Sequence, residues 1–87
     1  QLWVGVGKDR VEAASFVGPA MEGFYRVPFD KFARYTPHGT VDDIVDFLAP
    51  YLEAGCRHFN LTPVASTPEK GIEVIAEVGE RLRKMSD

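Results

Sequence analysis

A single cysteine, Cys56, stands in the 87 residues, which excludes an internal disulfide and any site built from several thiolates. A reducing, cytoplasmic setting is the expectation that goes with it. No apolar run approaches the ~20 residues of a membrane-spanning helix. Residues 1–7 carry no basic leader and run straight into a strand pattern, so no secretory signal is read there. Charge is not gathered by sign: 10 Lys and Arg against 13 Asp and Glu leave a net −3, interspersed along the chain. That gives no electrostatic ground for binding nucleic acid or an anionic membrane. A P-loop, a dinucleotide fingerprint, a nucleophile–base pair and metal-ligand spacing are all missing, so neither a metal site nor self-sufficient catalytic machinery is expected. Repeats, low-complexity tracts and long linkers are missing too. The chain opens on Gln1 rather than Met, as a processed or truncated chain would.

What is present is the composition of an ordinary globular chain, 45% apolar and 26% charged. It is long enough for one small domain that hides about 60–65% of its unfolded surface. Leu2-Trp3-Val4-Gly5-Val6-Gly7 predicts a strand, with Leu2, Val4 and Val6 on one face and Trp3, Gly5 and Gly7 on the other. Glycines on a strand face mean close approach of another backbone or of a ligand. Asp9 then caps a helix with Glu12 at the capping-box position, and Gly18-Pro19 is expected to kink or split it. Residues 25–38 predict a mixed connection with one short helical turn near Val27 to Ala33, ended by Thr36-Pro37-His38-Gly39.

Thr40 caps the next helix, with Asp43 three positions on, and Val41, Ile44, Val45, Phe47, Leu48, Tyr51 and Leu52 form its apolar stripe. Asp42, Asp43 and Asp46 look like a metal cluster, but their spacing places them on a solvated face that suits the helix dipole. Gly55 supplies the stop. Arg57-His58-Phe59-Asn60-Leu61-Thr62-Pro63 follows as an alternating strand ended by proline. Phe59 and Leu61 point one way; His58, Asn60 and Thr62 point the other. Strands of a doubly covered parallel sheet are usually continuous apolar runs, so the polar row predicts a lumen or site. Thr67 caps a last helix with Pro68 at its first position. Two strands alone leave both edges unpaired and four apolar helical stripes uncovered. The rest of a larger domain, or identical copies in a homo-oligomer, must then complete the sheet.

The run Gly39-Thr40, the helix through Tyr51-Leu52-Glu53-Ala54-Gly55, and His58-Phe59-Asn60-Leu61-Thr62-Pro63 resemble the carboxyl-terminal part of the luciferase-like flavin monooxygenases. That family includes reductases that use the deazaflavin coenzyme. The closing helix from Pro68-Glu69 to Arg83 and the opening Leu2 to Gly7 strand with Asp9-Arg10-x-Glu12-Ala13 extend the likeness over nearly the whole chain. The resemblance implies an α/β fold in which residues 1–87 are one incomplete domain, the last two strands of a (β/α)8 TIM barrel, ordered strand–helix–helix–strand–helix. It implies an oxidoreductase or monooxygenase acting on a small organic substrate with FMN or the deazaflavin coenzyme in the complete enzyme, and no cofactor on this chain alone. The family's main flavin contacts lie on earlier strands, so no catalytic residue is assigned.

Barrel sites lie at the carboxyl ends of the strands, taken here as Val6-Gly7-Lys8 and Asn60-Leu61-Thr62-Pro63. Gly7, Lys8, Asn60 and Thr62 are therefore the expected cofactor contacts, and His38, in a loop on the same side, the expected substrate contact. His58 begins the strand and reads as structural; Cys56, without a neighbouring base, reads as a buried small hydrophobe. The alternative is a non-catalytic α/β module that completes its sheet by oligomerising.

Overall fold

The computed structural model describes residues 2–56 and 58–86. Gln1 and Arg57, which the sequence takes as the chain's opening and the lead-in to its second strand, lie outside them. Strand β1 (Leu2–Val6) leads into α1 (Arg10–Tyr25), two 3-10 turns (Phe29–Lys31 and Ala33–Tyr35) and β2 (His38–Gly39). Then come α2 (Val41–Glu53), β3 (Leu61–Val64) and α3 (Pro68–Ser86). The sheet is parallel with strand order β2-β1-β3. The α/β class is as expected, but there are three βα units rather than two, because His38 and Gly39 pair with Gly5 and Val6. A two-residue strand shows no alternation from which it can be predicted.

The helices form where local chemistry starts them. Asp9 accepts the Glu12 N–H at 2.8 Å, while the Glu12 carboxylate takes the Lys8 N–H at 3.0 Å, one residue before the cap. Pro19 does not split α1, which continues through it to Tyr25. Thr40 and Asp43 form a complete capping box at the start of α2, and Thr67 Oγ1 accepts the Lys70 N–H at 3.1 Å to cap α3.

Strand β3 begins at Leu61, so His58, Phe59 and Asn60 precede it, and Pro63 lies within it rather than ending it. The register explains why the proline is tolerated. Leu2 N–H donates to Asn60 O at 2.7 Å, while Gly5 and Gly7 N–H turn the other way, to Pro37 O and Gly39 O. The alternation leaves the Pro63 nitrogen on the outer side of an edge strand, where no ladder bond is lost.

Two crossovers of the same hand that run in opposite directions across a sheet place their helices on opposite faces. Val4 and Val6 join Ile44, Val45, Leu48, Leu52, Val74, Val78 and Leu82 in the main core with α2 and α3, and the partly buried Leu2 packs against it. On the other face α1 lies directly on the glycines. A Cβ on Gly5 would stand 2.7 Å from Val17 Cγ1 and 2.9 Å from Ala13 O, and one on Gly7 2.6 Å from Ala13 N. Of the two explanations for glycines on that face, close backbone approach is the one observed. Phe59 and Leu61 pack against the main core, whereas His58 and Asn60 are exposed and Thr62 is half-buried. Cys56 is half-buried, not buried, and its thiol donates to His58 O at 3.3 Å.

The capping box also makes the fold sensitive to acid. The Thr40 backbone N–H donating to Asp43 holds that carboxyl below its ordinary value; burial opposes this, and the Thr40 hydroxyl, Arg10 and His38 add to the lowering. A depressed carboxyl contributes stability above its unfolded pKa of about 3.9 and loses it as pH falls through the folded value. Thermal midpoints measured between about pH 2 and 6 should therefore fall on the acid side, and less steeply in Asp43→Asn, which keeps an acceptor but has no charge to lose. An unchanged acid slope in that variant would place the titrating group elsewhere.

Candidate functional site

The carboxyl ends of the three strands meet at one edge of the sheet, and the crossover from β1 to β2 and the one from β2 to β3 run in opposite directions across it. Ligands of open parallel sheets bind outside that edge, where the winding reverses. A cavity of about 300 Å³ lies there, and Gly7, Lys8, Thr40, Ser66 and Lys70 stand on its walls with Phe16 among the apolar residues between them. Each polar member is placed by local structure. Gly7 is tied to β2 by its N–H to Gly39 O at 3.0 Å. Lys8 is oriented by its backbone bond to Glu12. Thr40 is held in the capping box, and Lys70 sits in the first turn of α3, at the N3 position below its cap. Two ammonium groups, hydroxyls and the N-terminus of α3 face a space in which Glu12, already bonded to Lys8 N–H, is the opposing carboxylate. Such a setting favours an anion.

The five expected contacts are not all brought together. Gly7 and Lys8 line this cavity. Asn60 does not: it precedes β3 and so lies at the amino end of that strand, on a separate hollow of about 880 Å³ with His58 and Arg83. Its assignment to a carboxyl end is corrected by the boundary of β3, which ends at Val64. Thr62 sits within the strand opposite Trp3. His38 is in β2 rather than a loop and is buried, its Nδ1 2.7 Å from Thr36 O.

His38 lines a third cavity of about 310 Å³ with Arg10, Arg34, Asp43 and Asp46. Neither Lys70 nor the Arg10–Arg34 pair is singled out by the sequence. Lys70 carries a signal, standing three residues after a helix cap; the arginines are joined only by tertiary structure. Among the described residues no group of three or more His, Cys, Asp and Glu is placed to hold a metal ion. Asp42 is instead paired with Arg81 at 2.7 Å, consistent with a solvated acidic face. No helix of the described residues is long and apolar enough to cross a membrane. No family model, curated protein or solved structure matches the chain.

Proposed function

We propose that this chain is the carboxyl-terminal part of a cytoplasmic, flavin- or deazaflavin-dependent oxidoreductase of the luciferase-like kind, acting on a small organic substrate. The observation that carries this reading is the gathering of Gly7, Lys8, Thr40, Ser66 and Lys70 around one cavity at the carboxyl edge of the sheet. These residues fit the phosphate-bearing tail of such a coenzyme. The ammonium groups and the α3 N-terminus supply charge, and the hydroxyls supply hydrogen bonds. The bound coenzyme would supply the hydride or oxygen chemistry, while Lys8 and Lys70 hold and orient it. Nothing around this cavity provides extended walls for a three-ring system, which the rest of the enzyme would add.

The same reading requires further strands, from the remainder of the protein or from identical copies, against the unpaired outer edges of β2 and β3. Closure as a (β/α)8 barrel would also place β2 between β1 and β3 and put all helices on one face. The carboxyl-edge site belongs to parallel sheets of either closure.

The test is a titration of the whole chain with FMN and with riboflavin, followed by backbone amide shifts. FMN should shift Gly7, Lys8, Ser66 and Lys70, riboflavin should not, and Lys8→Gln or Lys70→Gln should weaken FMN about tenfold, the loss expected for one charge-assisted contact. The chain by itself should oxidise no reduced flavin. Equal response to riboflavin, or shifts confined to residues 58–61, would overturn the assignment.

A further inference from the structure

We propose that the outer edge of β3 and the adjoining face of α3 form a two-fold interface between two copies of this chain. An antiparallel β3–β3 ladder there joins the two three-stranded sheets into one. The inference deepens the requirement above for a further strand at that edge, takes the open sheet as its setting, and is independent of the coenzyme.

The edge limits where the dyad can lie. Leu2 N–H donates to Asn60 O. The register of β1 on β3 then turns the backbone groups of Thr62 and Val64 toward β1, and those of Phe59, Leu61 and Pro63 outward. Among the described residues β3 pairs with β1 alone, so this outer row is open. Pro63 offers a carbonyl there but no N–H. A dyad at Pro63 or Thr62 puts that gap in the middle of an antiparallel ladder. A dyad at Leu61 moves it to the end. The two Leu61 residues then exchange both N–H···O bonds, and Pro63 O accepts the Phe59 N–H of the other copy.

Helix α3 supplies a second, independent dyad. Beside its buried Val74, Val78 and Leu82 runs another row, Glu69, Ile72, Ala76, Gly79 and Arg83, at the three- and four-residue spacing of one helix face. Ile72 is 67% exposed, and a Cβ on Gly79 would meet nothing within 4 Å. Against an antiparallel copy with its dyad at Ala76, this row complements itself: Ile72 meets the open surface over Gly79, and Glu69 meets Arg83. The two dyads coincide. A Cβ on Gly71 stands 3.1 Å from Pro63 Cβ. The step from Pro63 back to Leu61, at about 3.3 Å per strand residue, matches the rise of roughly four helical residues at about 1.5 Å each. Leu61 is therefore level with Ile75 and Ala76. The hollow of about 880 Å³ between Phe59, Leu61, Ile75 and Gly79 receives the apolar side chains of the other copy. An unrelated strand would satisfy the edge alone; the reversal of charge along α3 and the agreement of the two dyads are properties of a self-match.

Sedimentation equilibrium of the whole chain at micromolar concentration should give twice the 9.7 kDa of one copy, with the Leu61 amide slow to exchange in the dimer. Ile72→Glu, at an exposed position that leaves the monomer folded, should weaken association by about tenfold or more. Glu69→Arg and Arg83→Glu should each weaken it about tenfold by setting like charges opposite one another. The double exchange should restore it, which no loss of monomer stability would do. A single-copy mass at every concentration, a mass beyond two copies, or a dimer indifferent to Ile72→Glu would overturn the interface. So would a double exchange that associates no better than the single ones. FMN shifts of Gly7 and Lys8 in the same samples separate the two readings. Their absence in an intact dimer overturns the coenzyme site alone, and their presence in a chain that never dimerises overturns this interface alone.

Discussion

Leu48→Ala and Ile44→Ala should each lower the unfolding free energy by about 2–5 kcal/mol, measured by chemical denaturation. Both side chains are fully buried, at 0% exposure, on the stripe of α2 that meets Val4 and Val6 of β1 together with Val74 and Val78 of α3. Truncation there leaves a cavity enclosed by three elements, none of which can move in without uncovering the others. Small domains are stable by only about 5–15 kcal/mol in total, so either change removes a large share of the margin. Phe59 and Leu61 form the informative contrast. They pack on the same core but are only partly buried, because Phe59 precedes β3 and Leu61 begins it. Their alanine variants should cost about 1–2 kcal/mol, a fraction of the transfer value for full burial. Asn60→Ala, at an exposed position, should change stability by less than about 0.5 kcal/mol. If Phe59→Ala proves as costly as Leu48→Ala, the start of β3 is packed more deeply than the structure shows.

Gly39→Ala should be among the most damaging changes outside the core. Gly39 holds φ +134°, a region essentially reserved for glycine, where a side chain costs about 1–3 kcal/mol. A Cβ there would also overlap the Asp43 carboxylate, pushing it out of the capping box, whose loss adds about 0.5–2 kcal/mol. Gly55 provides the control. Its φ is +103° but nothing stands within 4 Å of a built Cβ, so Gly55→Ala suffers the backbone term alone and should be clearly milder. Gly39→Ala should further shift the resonances of Gly7, whose N–H it accepts, and of Lys8, linking the cap to the cavity wall. Equal destabilisation by the two alanines would show that the Asp43 overlap is relieved without cost.

The helices were legible because a cap is a local device. Asp9, Thr40 and Thr67 each bond within three residues of themselves, so neighbours in sequence carry the whole signal. Glu12 was half legible: its place in the first turn is readable, but its bond to Lys8 rather than Asp9 depends on how the chain leaves β1. The strands were less so. β2 is too short for a period to appear, and its partner Gly5 lies on the far side of α1 in sequence. For β3, the sequence suggests Pro63 as a terminator, although a proline whose nitrogen faces outward on an edge strand terminates nothing. The end differs by one residue only; the larger difference is at the start, where the alternation of His58 to Thr62 extends upstream of the pairing that begins at Leu61, so that Asn60 lies before the strand and not at its carboxyl end. Gly7 and Lys8 line the carboxyl-edge cavity because they directly follow β1, which ends at Val6, one residue before the expected end. Arg10, Arg34 and His38 come from three elements, and no spacing in the sequence joins them.

Placing β1 at the centre of the sheet has a kinetic consequence. β1 is held on one side by the two residues of β2 and on the other by β3, which follows it only after α1, β2 and α2. Pairing Leu2 with Leu61 closes every residue between them into one loop, and its entropy must be lost before the contact is gained. Until then the apolar row of Leu2, Val4 and Val6 has neither its neighbour strand nor α3 over it. These elements should therefore fold together in one step, and only once β3 has been made. Truncation within α3 should leave the first strand exposed to association with other chains.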